Sequence, residues 1–65
     1  MDKVLQDAID RVEVLDHMSE AVWAVQHNRK VVEPSDELAE KIVDLIFSGY
    51  SNNLVDTYIE LVVQA

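Results

Sequence analysis

From Asp2 to His27 the apolar residues return every three to four positions, which predicts one long amphipathic helix. At about 100° per residue, Val4, Leu5, Ala8, Ile9, Val12, Leu15, Met18, Val22, Trp23 and Val25 fall on one broad arc. Asp2, Gln6, Asp10, Glu13, His17 and Glu20 occupy the opposite arc. Asp2 and Asp7 near the start, with Arg29 and Lys30 past the end, suit the helix dipole. One interruption is open at Asp16-His17-Met18-Ser19, where Asp16 is placed to cap a separate helix.

Two shorter helices follow. His27-Asn28-Arg29-Lys30 reads as a helix end, and Glu33 is held extended because Pro34 follows it. Ser35 is the clearest N-cap in the chain, standing just before the acidic pair Asp36-Glu37. It opens a helix over residues 36–48 whose apolar side is Leu38, Ala39, Ile42, Val43, Leu45, Ile46 and Phe47. Gly49 supplies a left-handed stop. Ser51, Asn52 and Asn53 are each suited to cap a third helix, over residues 52–64, that buries Leu54, Val55, Tyr58, Ile59, Leu61 and Val62. The β-branched run near its end invites a strand, but the adjacent apolar pairs break the alternation a strand requires. The expected architecture is therefore all-α: a long N-terminal helix and a two-helix hairpin in a single domain, residues 1–65.

The breadth of these apolar arcs points to a partner. A helix packed on one neighbour needs a stripe a little over about 100° wide, and these approach half the circumference. A helix of about 26 residues spans about 39 Å, and each shorter helix covers about half of that. Part of the long stripe is left open unless a second copy closes it, so a dimeric helical bundle is expected. The simpler alternative is a monomeric three-helix bundle. If the first helix breaks at Asp16, four helices can close a core alone.

Composition supports both the fold and the need for a partner. The chain has 65 residues. A domain of that size buries only about 60% of its unfolded surface, which leaves an isolated monomer marginal. There is no cysteine, hence neither a disulfide nor a thiolate metal site, and a reducing, cytoplasmic setting fits. No apolar run is long enough to span a bilayer, and Met1-Asp2-Lys3 has no signal-peptide pattern. The net charge of −8 argues against direct binding to nucleic acid or to an anionic membrane. Up to Lys30 there are six acids and four bases; beyond it, seven acids face only Lys41. That acidic field is Glu33, Asp36, Glu37, Glu40, Asp44, Asp56 and Glu60. It solubilises an apolar oligomer, and it also has the character of a phosphate backbone offered to a basic protein.

Candidate chemistry is sparse. Asp10, Glu13, His17 and Glu20 share a helix face, and carboxylates flanking an imidazole can hold a divalent metal where two helices meet. The plainer reading is a solvated face with ordinary contacts such as Glu13 to His17. Asp16 diverges from His17 by about 100° within one helix, so no triad forms with Ser19. With no cysteine nucleophile and no glycine-rich phosphate loop, neither an enzyme nor a cofactor is expected. The last two helices have the spacing of a helix-turn-helix, but residues 52–64 contain no Lys or Arg, which argues against DNA readout.

Trp23 is either a large core aromatic or a partner contact, and Tyr50, just after Gly49, reaches a neighbouring helix or a partner. Together with Glu33, Glu37, Glu40, Asp44, Asp56 and Glu60 they form the candidate binding set. The expected function is a small acidic protein-interaction module, a homo-oligomeric adaptor or regulator acting on an unidentified, basic protein. In size and acidity it is of a type with small bacterial and phage accessory proteins, an analogy that no motif carries. An acidic inhibitor that imitates nucleic acid stands second, and a metal-binding bundle using Glu13, His17 and Glu20 third.

Overall fold

The computed structural model describes residues 2–64, and among them every regular element is helical. Helix α1 runs Lys3–Gln26, α2 runs Asp36–Phe47, and α3 runs Asn53–Tyr58 before widening into a π-helical segment, Ile59–Val63. In that segment the Gln64 amide donates to the Ile59 carbonyl five residues back, at 2.9 Å. A third helix is thus present where expected, but its last turn is looser than an α-helix.

Local chemistry sets the boundaries. The Asp2 carboxylate accepts from the Val4 amide at 2.9 Å. The Ser35 hydroxyl accepts from the Leu38 amide at 3.2 Å. The Asn52 side-chain oxygen accepts from the Val55 amide at 2.8 Å. Each bond satisfies one of the free donors at a helix start, and Asn52 is the cap chosen among the three offered. At the end of α1, Asn28 takes φ 55° and the Arg29 amide reaches back to the Ala24 carbonyl at 2.7 Å. The Asn28 amide also reaches the Val25 carbonyl at 3.3 Å. The exit is therefore a Schellman motif with asparagine at the left-handed position. Gly49, at φ 85°, plays the corresponding part after α2, where Phe47 ends the helix and Ser48 caps it.

No break occurs at Asp16; α1 is continuous through it. Its 24 residues, at about 1.5 Å each, measure about 36 Å. That is close to the long dimension of the molecule, 39 Å. Helix α2 runs back along α1, placing Lys41 at Asp10 and Glu13, and Ser48 near Asp7. Beyond the turn Tyr50 lies under Arg11, and α3 then returns until Tyr58 meets His17. The hairpin thus covers one side of α1 and leaves the other bare.

The core is Val14, Met18, Ala21 and Val22 of α1, Ile42 of α2, and Val55 and Tyr58 of α3. This corrects the arc read from the sequence. Val14, Ala21 and Ala24, off that arc, are buried, whereas Val4, Leu5, Ile9, Val12 and Trp23, on it, are exposed. Helix α1 carries apolar residues around most of its circumference, so periodicity alone does not select the inner side. The small Ala21 and Ala24 allow close approach there, and Asp10 and Glu13 find their partner in the hairpin. Phe47 and Val43 are also corrected: Phe47 is 84% exposed and Val43 48%, because both lie on the side of α2 that faces away from α1.

Candidate interaction surfaces

Three surfaces carry what chemistry the molecule offers. The first is the seam between α1 and α2. Lys41 Nζ lies 3.3 Å from Asp10 Oδ1 and 3.2 Å from Glu13 Oε1. The Gln6 side-chain amide donates to Asp10 at 3.0 Å. That bond first, and Lys41 after it, hold the Asp10 carboxyl below the usual carboxylate range against a partial desolvation that opposes them. Lys41 is raised above an ordinary lysine by its bonds to Glu13 and then Asp10.

The residues of the alternative metal stripe do not converge. Asp10 and Glu13 close on Lys41, and Glu20 is exposed. The His17 ring packs edge-on to Tyr58, with centroids 6.3 Å apart and planes at 68°, and its Nε2 is buried without a hydrogen bond. Burial raises the Tyr58 phenol above its ordinary value. Among the described residues no group of three or more His, Asp or Glu side chains is placed to hold a metal ion.

The second surface is acidic. Glu33, Asp36, Glu37, Glu40, Asp44, Asp56 and Glu60 are all exposed. The single base on that half of the chain, Lys41, turns inward to α1, so it does not offset them. The charge therefore divides sharply. Helix α1, its exit loop and Lys41 hold six acids and five bases, which is close to neutral; the remaining seven acids account for almost all of the −8.

The third surface is apolar and lies on the outward side of α1. Val4, Leu5, Ala8, Ile9 and Val12 are exposed there, Val12 by 68%. Further along, Trp23 is 53% exposed, which overturns its reading as a core aromatic. Its indole stacks on the His27 ring at 4.3 Å and 19°, while His27 Nδ1 lies 2.8 Å from the Trp23 carbonyl. Trp23 also lines an open groove of about 480 Å³ with Arg29, Lys30 and Val32. Tyr50 is half-buried instead, with the Arg11 guanidinium 5.3 Å from its ring centroid and Asn52 Nδ2 donating to its hydroxyl at 3.4 Å. Its ring thus makes one of the two contacts expected of it, that with a neighbouring helix.

The sequence pattern missed Arg11 and Lys41 as contributors to these surfaces. Lys41 was detectable in principle, since a lone base among seven acids is a natural partner for the acids of α1. Among the described residues no helix is long and apolar enough to cross a membrane. No family model, curated protein or solved structure matches this chain, so its function has to be argued from its own surfaces.

Proposed function

We propose that this chain is a small protein-interaction module, an adaptor or regulator whose working unit is a homo-oligomer. The observation that carries the reading is the segregation of its two exposed surfaces. The broader apolar face lies on α1, which with its exit loop and Lys41 carries little net charge, whereas the hairpin, although it also exposes Val43 and Phe47, carries the seven remaining acids. An apolar face with little charge around it suits self-association, because copies meet there without bringing their acidic fields together. The partner is then bound through Trp23 and Val32 at the other end of α1, and the acidic face keeps the assembly soluble.

Sedimentation velocity across a hundredfold dilution series tests the first half. Self-association that weakens on dilution supports it, and a monomer at every concentration removes it.

The exposure of all seven acids favours a second reading, an inhibitor that occupies the nucleic-acid site of a basic protein. The two readings separate by salt and by competition. A mimic loses affinity steeply between low and physiological salt and is displaced by duplex DNA, whereas an adaptor that binds through Trp23 and Val32 holds its partner under both conditions.

A further inference from the structure

We propose that the groove beside Trp23 takes up an acidic peptide segment, one that places an aromatic or large aliphatic side chain next to one or two carboxylates. The proposal rests on the adaptor reading above and deepens it by naming the chemistry of the bound partner.

The groove forms where the exit loop turns back beside the end of α1. Its floor is Ala21 and Ala24, whose small side chains leave depth, and its apolar walls are Trp23 and Val32. Both walls are exposed, Val32 by 76%. At about 480 Å³ the groove falls in the range of roughly 300–1,000 Å³ common to ligand sites, which suits a short segment better than a folded surface. The site is also held in place before any partner arrives. The indole stacks on His27, whose Nδ1 lies against the Trp23 carbonyl, and the left-handed turn at Asn28 ties the Arg29 amide to Ala24. An aromatic wall fixed in this way costs little to order when an apolar side chain lies against it.

Charge identifies the occupant. Arg29 and Lys30 border the groove, and Glu20 is the only acid lining it among the described residues, so the site is net positive on a chain of −8. The other bases are engaged or distant. Lys41 bridges Asp10 and Glu13, Arg11 lies over Tyr50, and Lys3 stands at the opposite end of α1. Arg29 and Lys30 are both exposed, and among the described residues neither makes an ion pair. They are therefore two neighbouring cations open to a carboxylate, at the rim of the chain's single indole. A polyanion such as nucleic acid would have to carry its further charges past Glu33, Asp36 and Glu37, which follow Val32 directly; a segment with one or two carboxylates ends before it meets them. The apolar contact supplies the affinity, and the cations choose among segments.

Trp23 is the only tryptophan, so indole emission reports the groove directly. The probes are three capped peptides: Asp-Phe-Glu-Leu, its neutral counterpart Asn-Phe-Gln-Leu, and the basic Lys-Phe-Lys-Leu. At low salt the acidic peptide is expected to shift the emission saturably. The neutral one should bind roughly fivefold more weakly, the size of effect that exposed ion pairs allow, and the basic one more weakly still. In the double variant Arg29→Gln, Lys30→Gln the acidic and neutral peptides should bind alike. Because both side chains are exposed, that variant should keep its helical circular dichroism.

The adverse outcomes are distinguishable. Equal binding of the acidic and neutral peptides by the native chain overturns the acidic partner and leaves the groove as an apolar docking site. A preference for the basic peptide overturns it by giving the choice to the acidic field. Displacement of the acidic peptide by an oligothymidylate makes the site one for nucleic acid, and emission that shifts when the chain alone is diluted makes the occupant a second copy; either overturns the proposal. A Trp23 indifferent to every peptide removes the groove and the partner half of the adaptor reading with it, while the oligomeric half is decided separately by sedimentation.

Discussion

The two halves of α1 have similar apolar content and opposite fates. Val4, Leu5, Ile9 and Val12, in the part before Val14, are exposed, whereas from Val14 onward Val14, Met18, Ala21, Val22 and Ala24 are buried and Trp23 alone of the large apolar residues is exposed. The difference does not lie in propensity or hydrophobicity. It comes from length and side: two short returning helices reach residues from Asp7 onward and pack on one side only. Burial in the second half is therefore a property of the single chain, and the first half is free to serve an intermolecular contact.

The largest effect that can break this comparison is a truncation in each half. Met18 is 0% exposed. Met18→Ala is expected to cost about 2–5 kcal/mol, the sum of lost transfer energy and a residual cavity. That is a large part of the whole stability of a domain this small. Val12→Ala, measured by urea titration at high dilution, is expected to change the unfolding free energy by no more than about 0.5 kcal/mol, as exposed substitutions do. Equal costs for the two variants would mean that the halves are not distinct in the monomer.

How far this contrast was legible in the sequence depends on the residue. Ser35, Asn52 and Gly49 marked their boundaries because capping and left-handed φ are local demands that one side chain meets by itself. The inner side of α1 was not legible. Its apolar residues span too much of the circumference, and the choice was made by residues far away in the chain: Lys41 for Asp10 and Glu13, Tyr58 for His17. Phe47 was misplaced for the same reason. It stands at helical spacing from Val43, and only the position of α1 shows that this side of α2 faces solvent. The candidate surfaces divided likewise: the acidic field was visible by counting, and the bare apolar face of α1 was visible only after the hairpin had been set against its other side.

A smaller effect tests the buried half through pH. Tyr58 is 6% exposed, and burial raises its pKa above the ordinary value near 10. The folded state holds that proton more tightly than the unfolded chain, so the contribution is complete below about pH 10 and is lost as pH rises through the folded pKa. Lys41, also raised, adds to the loss in the same direction. Asp10, lowered, acts at the other end, its contribution present above the carboxylate range and lost as pH falls through its folded pKa. Stability is therefore expected to be level through neutrality and to fall at both extremes. Tyr58→Phe keeps the ring against His17 while removing the ionisable group. Urea midpoints at pH 8, 10 and 11 should show its alkaline decline reduced to the part due to Lys41; an unchanged decline would mean that Tyr58 titrates alike folded and unfolded.

The smallest expected effect concerns the contact that fixes α2 on α1. Lys41 bridges Asp10 and Glu13, but all three lie at the surface, where solvent and salt screen ion pairs and the gain per pair is slight. Its consequence is more one of placement than of strength. By turning toward α1, Lys41 leaves the outer acids of the hairpin without a cation, and so keeps the two surfaces of the molecule electrostatically separate. Lys41→Gln is expected to lower the melting temperature slightly at low ionic strength, and the difference from the native chain should vanish in 1 M salt. The same variant should leave any self-association through α1 weakened at low salt, because Asp10 and Glu13 then stand on the helix without their cation. A variant less stable by the same amount at both salt concentrations would show that Lys41 acts through the packing of its stem, and the electrostatic division between the two surfaces would lose its structural cause.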